Sequence, residues 1–423
     1  MPPVHDTQLY DRFRWVYCQL EALRNCIPSS VRGLLKKLPE TLDRTYERVL
    51  RDINKENRVH ALHLLQCLTV AARPLRVTEL AEVLAIDFGT AAHRGTPKLN
   101  PAWRWEDAQA AVLSTCSSLI TIIEDNGSQV VQFSHFTVKE FLTSQRLASS
   151  NADIRDFYIP PEPAHTTFAT ACLGVLVGLD DLVDRSTVQR NYPLAGYAAE
   201  HWVHHAVFED VSSCIQKNME YLFDSEKPCF AAWLRVHDMD IKPYGLPLFK
   251  FAVTTKSRKA AALLYYAALC GFHDLMKHLI LKHPQLVDLH GGFYVTPLVA
   301  ALAKENFEVA HLLHQHGANI NIRGREGRTP LYAASNWGHV EIVQWLLSRG
   351  ADPNVQDDRK GRTPLHEAAM RGHVEVARLL VEHRANVNAK TNDGETAYQV
   401  AEAYKHHGIV RLLSNIGSSK RTL

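Results

Sequence analysis

From residue 262 to near its C-terminus the chain repeats itself with a period of 33 or 34 residues. A period of that length rules out a single closed globule there and dictates a stack of supersecondary units. Thr-Pro steps stand at Thr296-Pro297, Thr329-Pro330 and Thr363-Pro364, and Thr396-Ala397 closes the series, with spacings of 33, 34 and 33 residues. Nine residues after two of these threonines come Gly338-His339-Val340 and Gly372-His373-Val374, while Glu305-Asn306-Phe307 and Lys405-His406-His407 keep the same register. Ala262, 34 residues before Thr296, is followed in the same register by Gly271-Phe272-His273.

The residue types fit one unit of two helices and an extended finger. Thr329 supplies a hydroxyl cap, and Pro330 occupies the first helical position, where no backbone donor is lost. Ala333 and Ala334 are small enough for a neighbouring unit to approach, and Gly338 supplies the left-handed turn that ends the helix. Ile342, Val343, Leu346 and Leu347 then make one apolar stripe at helical spacing. After Gly350, residues 351–362 are too rich in Asp, Asn, Pro and Gly for a helix and read as a finger with a tight turn.

With these residues in place, "GRTPLHEAAMRGHVEVARLLVEHRANVNAK" (361–390) and "GRTPLYAASNWGHVEIVQWLLSRGADPNVQ" (327–356) resemble ankyrin repeats nearly position for position. Five repeats are expected at 262–295, 296–328, 329–362, 363–395 and 396–417, the degenerate first and last acting as caps.

Bulk properties narrow the rest. A chain of 423 residues should hold about two to four domains. Its net charge of +2 exerts no general pull toward nucleic acid or anionic membrane. No apolar run approaches the roughly 20 residues of a membrane span, and no secretory signal opens the chain. Eight scattered cysteines without a Cys-x-x-Cys pair suit reduced, buried thiols in a cytoplasmic protein. His201, His204 and His205 place two imidazoles one helical turn apart, as a zinc site would, but no third ligand is signalled, so they read as packing or capping groups. His339, His366 and His373 read as scaffold that hydrogen-bonds neighbouring backbone.

Ahead of the repeats, residues 34–53 read as a helix pair broken at Pro39, with Tyr46 and Leu50 on the buried face of the second helix. A helix from about Lys55 to Ala72 follows, then one capped by Thr78, a polar loop over 89–104, and a helix from Trp105 to Cys116. Asn126-Gly127 between two β-rich runs is a strong hairpin signal. The helix Thr137 to Ala148 completes a winged-helix pattern over 58–150. Such domains often read DNA. Here the helix before the wing has no Lys or Arg after Arg104 and the preceding helix is acidic, so phosphate contacts are missing and no nucleic acid is expected.

"LPETLDRTYERVL" (38–50), "PLRVTELAEVLAI" (74–86) and "VQFSHFTVKEFLTS" (131–144) resemble the winged-helix segment that follows the NACHT nucleotide-binding domain in many fungal proteins of the STAND signal-transduction type. "PLAGYAAEHWVHHA" (193–206) is similar to their helical connector, and "DRFRWVYCQLEALRNC" (11–26) to the last helix of the NACHT module. The fold expected is thus mainly α: a helical remnant (1–57), a winged-helix domain with one β-hairpin (58–150), a helical connector (151–258) and an ankyrin-repeat solenoid (259–423). The phosphate loop that family needs is absent. Lys256-Ser257 lacks the preceding glycines, so the resemblance places every nucleotide-contacting position upstream of Met1. The chain then reads as a truncated member or the product of a split or mispredicted gene, with no enzymatic activity, cofactor or metal.

The function expected is protein recognition by finger and first-helix residues: Arg323, Arg325, Arg328, Tyr332, Trp337, Asp358, Arg359, Lys360, Arg362, Met370, Arg371 and Lys390. Ser335, Asp357 and Glu367 belong to the same expected surface. Two blander roles stay open: Trp337 packing between repeats, and finger charges that are only solvated. The alternatives to a scaffold are an inactive regulatory remnant that pairs with an intact NACHT relative, and a NACHT NTPase of the fungal innate-immunity or heterokaryon-incompatibility type whose upstream part is not in this sequence.

Overall fold

The hairpin signal and the Thr-Pro rhythm belong to two structurally distinct parts of a mostly helical chain. A computed structural model describes residues 42–89, 97–179, 185–224, 226–237, 239 and 256–419. Two compact units result, Met1–Met239 and Asp240–Leu423. The helix expected at 11–26 and the one before Pro39 lie outside the described residues.

In the first unit the helices Leu42–Asp52, Arg58–Val70, Val77–Val83 and Ala108–Cys116 precede the hairpin of Ile120–Asp125 and Ser128–Phe133. Asp125 pairs with Ser128 across a two-residue loop. Its residues Asn126 and Gly127 have φ of 47° and 75°, the positive values that a type I′ turn needs. A strand missing from the sequence reading, Leu75–Arg76, joins the hairpin to give the order 75–76, 128–133, 120–125. It also moves the start of the next helix. Thr78 is not its cap: Glu79 turns back so that its carboxylate accepts from the Arg76 amide at 2.8 Å. A second small sheet pairs Ile86–Asp87 with Lys98–Leu99, and only the latter lies inside the polar loop expected over 89–104.

The expected acidic face of the helix Val77–Val83 is absent, because both carboxylates point inward. Glu79 is buried and takes a two-pronged contact from Arg73 at 2.8 and 2.7 Å. Buried Glu82 pairs with Arg104 and accepts from the Leu194 amide at 2.6 Å. Ala108–Cys116 exposes Gln109, Ala110 and Leu113, and the wing beside it exposes Glu124 and Asp125. Neither Lys nor Arg lies on that helix to meet a phosphate.

The helix Pro161–Leu176 packs against both Arg58–Val70 and Ala195–Ala206, so winged helix and connector share one core. Polar ties seal it: Thr167 donates to Gln66 at 2.8 Å, and the Ala72 amide to the Tyr197 hydroxyl at 2.9 Å. The aromatic centre is Trp202 edge-on to Trp233, whose indole donates to the Ala199 carbonyl.

Among its described residues the second unit holds five helix pairs: Lys256–Cys270 with His273–Lys282, Pro297–Ala303 with Phe307–Gln315, Pro330–Trp337 with Val340–Ser348, Pro364–Arg371 with Val374–Glu382, and Ala397–Ala403 with His407–Ser419. The solenoid division drawn at 258/259 falls inside the first of these helices. Ile342, Val343, Leu346 and Leu347 are all buried, as the stripe requires. The Thr329 hydroxyl accepts from the Tyr332 amide at 3.2 Å, and Thr296 and Thr396 cap the same way. Thr363 uses a variant, its amide donating to His366 Nδ1 at 3.2 Å while His366 Nε2 reaches the Glu395 carbonyl of the next finger at 3.1 Å.

Adjacent repeats interlock where the first helix of a pair, the inner one, ends. Gly338 and Gly372 hold φ of 82° and 80°, and a methyl group on either would lie 2.5 or 2.7 Å from the imidazole of His373 or His406 in the next repeat. Those imidazoles face the Asn336 carbonyl at 3.4 Å and the Met370 carbonyl at 3.1 Å, which the helix leaves without a backbone donor. Asn306 serves the first repeat likewise, donating to the Ala268 carbonyl at 3.0 Å. His339 departs from the expected backbone bond and sits 3.6 Å from the Glu305 carboxylate, since Glu305 itself takes the left-handed position at φ 59°.

Gly350 shares the strained φ, 85°, but has nothing within 4 Å of an added methyl group. Gly350→Ala should therefore cost only the left-handed penalty of about 1–2 kcal/mol. Gly338→Ala should cost roughly twice as much, because the His373 ring must also move. Equal shifts in the urea midpoint of the two variants would refute the interlock.

Candidate functional site

The fingers of the first three repeats and the first helices of the second to fourth enclose a cleft of about 950 Å³. The cleft unites seven of the expected contact residues: Arg325, Arg328, Tyr332, Trp337, Arg362, Met370 and Arg371. Arg323, Asp358, Arg359, Lys360 and Lys390 lie outside it, exposed along the fingers, with Arg323 bound to Asp358 at 2.6 Å.

Four residues expected on the surface are buried instead: Tyr332, Ser335, Asp357 and Glu367. Asp357 staples its own finger, accepting from the Lys360 and Arg362 amides at 3.2 and 2.7 Å. Glu367 lies beneath the cleft and accepts from the Tyr332 hydroxyl at 2.7 Å and from Arg362 at 3.2 Å. Burial, reinforced by the hydrogen bond to that carboxylate, pushes the Tyr332 phenol well above its ordinary value. Tyr332 is thus a fixed part of the cleft floor, with the Arg328 guanidinium 5.3 Å above its ring. Arg328 is itself held by Glu326 at 2.7 Å, and Arg371 donates to Asn336 at 3.1 Å.

The opposite wall comes from residues the sequence reading missed, Phe293 and Tyr294. Tyr294 meets Trp337 edge-on with ring centres 5.9 Å apart, and Phe293 stands 5.2 Å from Tyr294. Trp337 therefore packs across repeats and faces the cleft at once. The signal was a departure from the rhythm: two residues before each Thr anchor the second to fourth repeats have Gly327, Gly361 and Gly394, whereas the first has Tyr294. Its finger closes differently, with β-branched Val295 at a left-handed φ of 73° and the Tyr294 amide donating to the Tyr265 hydroxyl at 3.1 Å. Such a residue carries roughly 1–3 kcal/mol of strain, and strain of this kind concentrates where a surface is shaped for contact.

The histidines of the first unit form a buried chain. His205 Nδ1 lies 3.0 Å from His165 Nδ1, and its Nε2 lies 2.9 Å from the Tyr197 hydroxyl. Burial, with help from neighbouring imidazoles, pulls His205 down to about 3. Desolvation also pulls His63 down to about 4 and lowers His165 and His201. Among the described residues no group of three or more His, Cys, Asp or Glu side chains is placed to hold a metal ion. Burial raises the thiols of Cys67, Cys116, Cys172 and Cys270, and no helix of the described residues is long and apolar enough to cross a membrane.

Over residues 264–357 and 350–422 the sequence matches the family of ankyrin repeats, and over 46–154 it matches the winged helix domain of GPI inositol-deacylase. The chain therefore carries ankyrin repeats and a winged-helix domain of that type. One relative is the azaphilone pigments biosynthesis cluster protein L of Monascus ruber, 30% identical over 290 residues, which cover 65% of this chain. The matched stretch spans 59% of that relative's length.

Glu367→Ala leaves the Tyr332 hydroxyl and Arg362 without their shared acceptor, and should lower stability by about 2–3 kcal/mol, against about 1 kcal/mol for Tyr332→Phe. Equilibrium unfolding in urea would show this, and a loss from Glu367→Ala no greater than from Tyr332→Phe would mean the carboxylate does not organise the floor. His205 stays neutral when folded, so above its unfolded value of about 6.5 it contributes no pH dependence. Below that the unfolded chain gains a proton that the folded chain refuses until about pH 3. Stability should thus fall by up to about 1.4 kcal/mol per pH unit on acidification from pH 6.5. Replacement by His205→Gln should flatten that slope; an unchanged slope would show that His205 is already protonated in the folded chain.

Proposed function

We propose that this chain is a non-catalytic recognition protein that docks a segment of another protein in the cleft across its first to fourth ankyrin repeats. The observation that carries this reading is the cleft's lining: Tyr294, Trp337 and Met370 beside Arg325 and Arg371, on a floor fixed by the buried Glu367. Tyr, Trp and Arg are the residue types on which interface energy concentrates. The rotamer freedom of Tyr294 and Trp337 is already reduced by their mutual packing, which lowers the cost of binding.

A role in cytoplasmic signalling beside NACHT-type proteins belongs to the same proposal, supported by the winged-helix match. A second reading, in which the first unit pairs with an intact nucleotide-binding relative, is favoured by exposed Trp103, Trp105 and Leu113 around the winged helix.

One experiment separates the two. The chain bearing a photo-crosslinker in place of Asn336 is used to capture proteins from its own cell extract, alone or with Trp337→Ala and Tyr294→Ala. The docking reading expects the cross-linked species to lose at least about tenfold in yield with the cleft variant. Unchanged yield would sink it. Loss on Trp103→Ala with Trp105→Ala, and none on the cleft variant, would favour the second reading.

A further inference from the structure

The charges of the cleft do not balance. Four arginines line it, Arg325, Arg328, Arg362 and Arg371, against two carboxylates, Glu326 and Glu367. Both carboxylates are engaged, Glu326 by Arg328 at 2.7 Å and Glu367 by Arg362 at 3.2 Å and the Tyr332 hydroxyl. Arg371 has only the neutral amide of Asn336, and exposed Arg325 makes no side-chain ion pair among the described residues. With the whole chain at a net charge of only +2, this surplus of two guanidinium groups is local. Beside it lies apolar surface: Phe293 is exposed, and the Tyr294–Trp337 pair opens toward Met370.

We infer that the occupant of the cleft is an acidic peptide segment in which Asp or Glu side chains flank a bulky apolar one. The inference rests on the reading of this cleft as a docking site and specifies its partner. A guanidinium fork matches a carboxylate in two parallel hydrogen bonds, and the partly enclosed site screens that contact less than open water does. The aromatic wall takes the apolar side chain, and the charges on either side fix its register. A cleft of about 950 Å³ is at the upper limit of small-molecule pockets and suits several residues of extended chain. Two spare cations fall well short of the roughly 6–10 phosphate contacts of a duplex-DNA site, so the chemistry favours a peptide over nucleic acid.

The test uses the full chain and fluorescein-labelled 12-residue peptides read by anisotropy. One alternates Glu and Asp around a central Trp-Leu pair. A second replaces every acid with Lys, and a third replaces them with phosphoserine and Ser. The acidic peptide should bind at least about tenfold tighter than the basic one. Its affinity should fall several-fold between about 50 and about 300 mM salt. Arg325→Glu with Arg371→Glu should invert the preference, while unchanged circular dichroism and Tm show the scaffold intact. Trp337→Ala should weaken acidic and basic peptides alike.

Equal binding of acidic and basic peptides, or a preference that survives the double charge reversal, overturns the inference. Tighter binding of the phosphoserine peptide overturns it in favour of a phosphate reader. If the acidic preference is missing while the Trp337→Ala, Tyr294→Ala chain still loses its cross-linked partner, the docking reading stands and only the charge inference fails. If that yield is also unchanged, both fail.

Discussion

Each inner helix of the described solenoid ends in a left-handed residue, and over three of those ends, at Gly271, Gly338 and Gly372, the next repeat places an imidazole or amide. Three requirements meet in this contact. The last turn of a helix leaves carbonyls without donors. The stack needs a fixed spacing between repeats, and the fingers need a common direction in which to project. Gly338 and Gly372 answer all three, because a residue without a side chain lets His373 and His406 reach the carbonyls of Asn336 and Met370. A second ladder runs beneath the fingers, where the Asn321 side chain accepts from the Asp352 amide at 2.8 Å and Asn354 from Asn386 at 2.7 Å. With both ladders in place, the outward-facing side chains of fingers and inner helices are not needed to hold the repeats together. That freedom is what allows Tyr294 to stand where other repeats carry glycine.

Much of this was legible because the signals are local. Thr-Pro as cap and first turn, glycine as helix stop and Asn-Gly as hairpin each depend on a few adjacent residues, and each was found where the sequence put it. The strands Leu75–Arg76, Ile86–Asp87 and Lys98–Leu99 were not legible, since two residues cannot show an alternation. Nor was the fate of the carboxylates. Glu79, Glu82, Asp357 and Glu367 look in sequence like solvated charges, yet each is buried and bonded to backbone amides, to an arginine, or to both. Arg104 and Leu194 lie 22 and 112 residues from Glu82, whereas Arg73, Arg76 and Arg362 lie within six residues of the carboxylates they bind but outside the helices, where helical spacing does not reveal them.

The same error had opposite consequences in the two units. In the winged helix, Glu79 and Glu82 looked like a surface that would repel phosphate, but they are internal ties. What argues against a nucleic-acid face is the helix Ala108–Cys116, which exposes Gln109, Ala110 and Leu113 and carries no cation. In the cleft, Glu367 looked like a contact residue and proved to be the reason that Tyr332 and Arg362 are fixed.

A buried carboxylate that binds one arginine and one phenol does more than hold a floor. Because Glu367 is already neutralised, it does not cancel the field of Arg325 and Arg371 at the cleft mouth. A solvated glutamate there would swing toward the nearest free guanidinium and remove the surplus. Packing Glu367 inward therefore separates two roles that arginine plays in the same few square nanometres: Arg362 is structural and spent, while Arg325 and Arg371 stay available. In a repeat scaffold, whose backbone is nearly the same from unit to unit, selectivity arises from this kind of division: which charges the fold consumes and which it leaves facing outward.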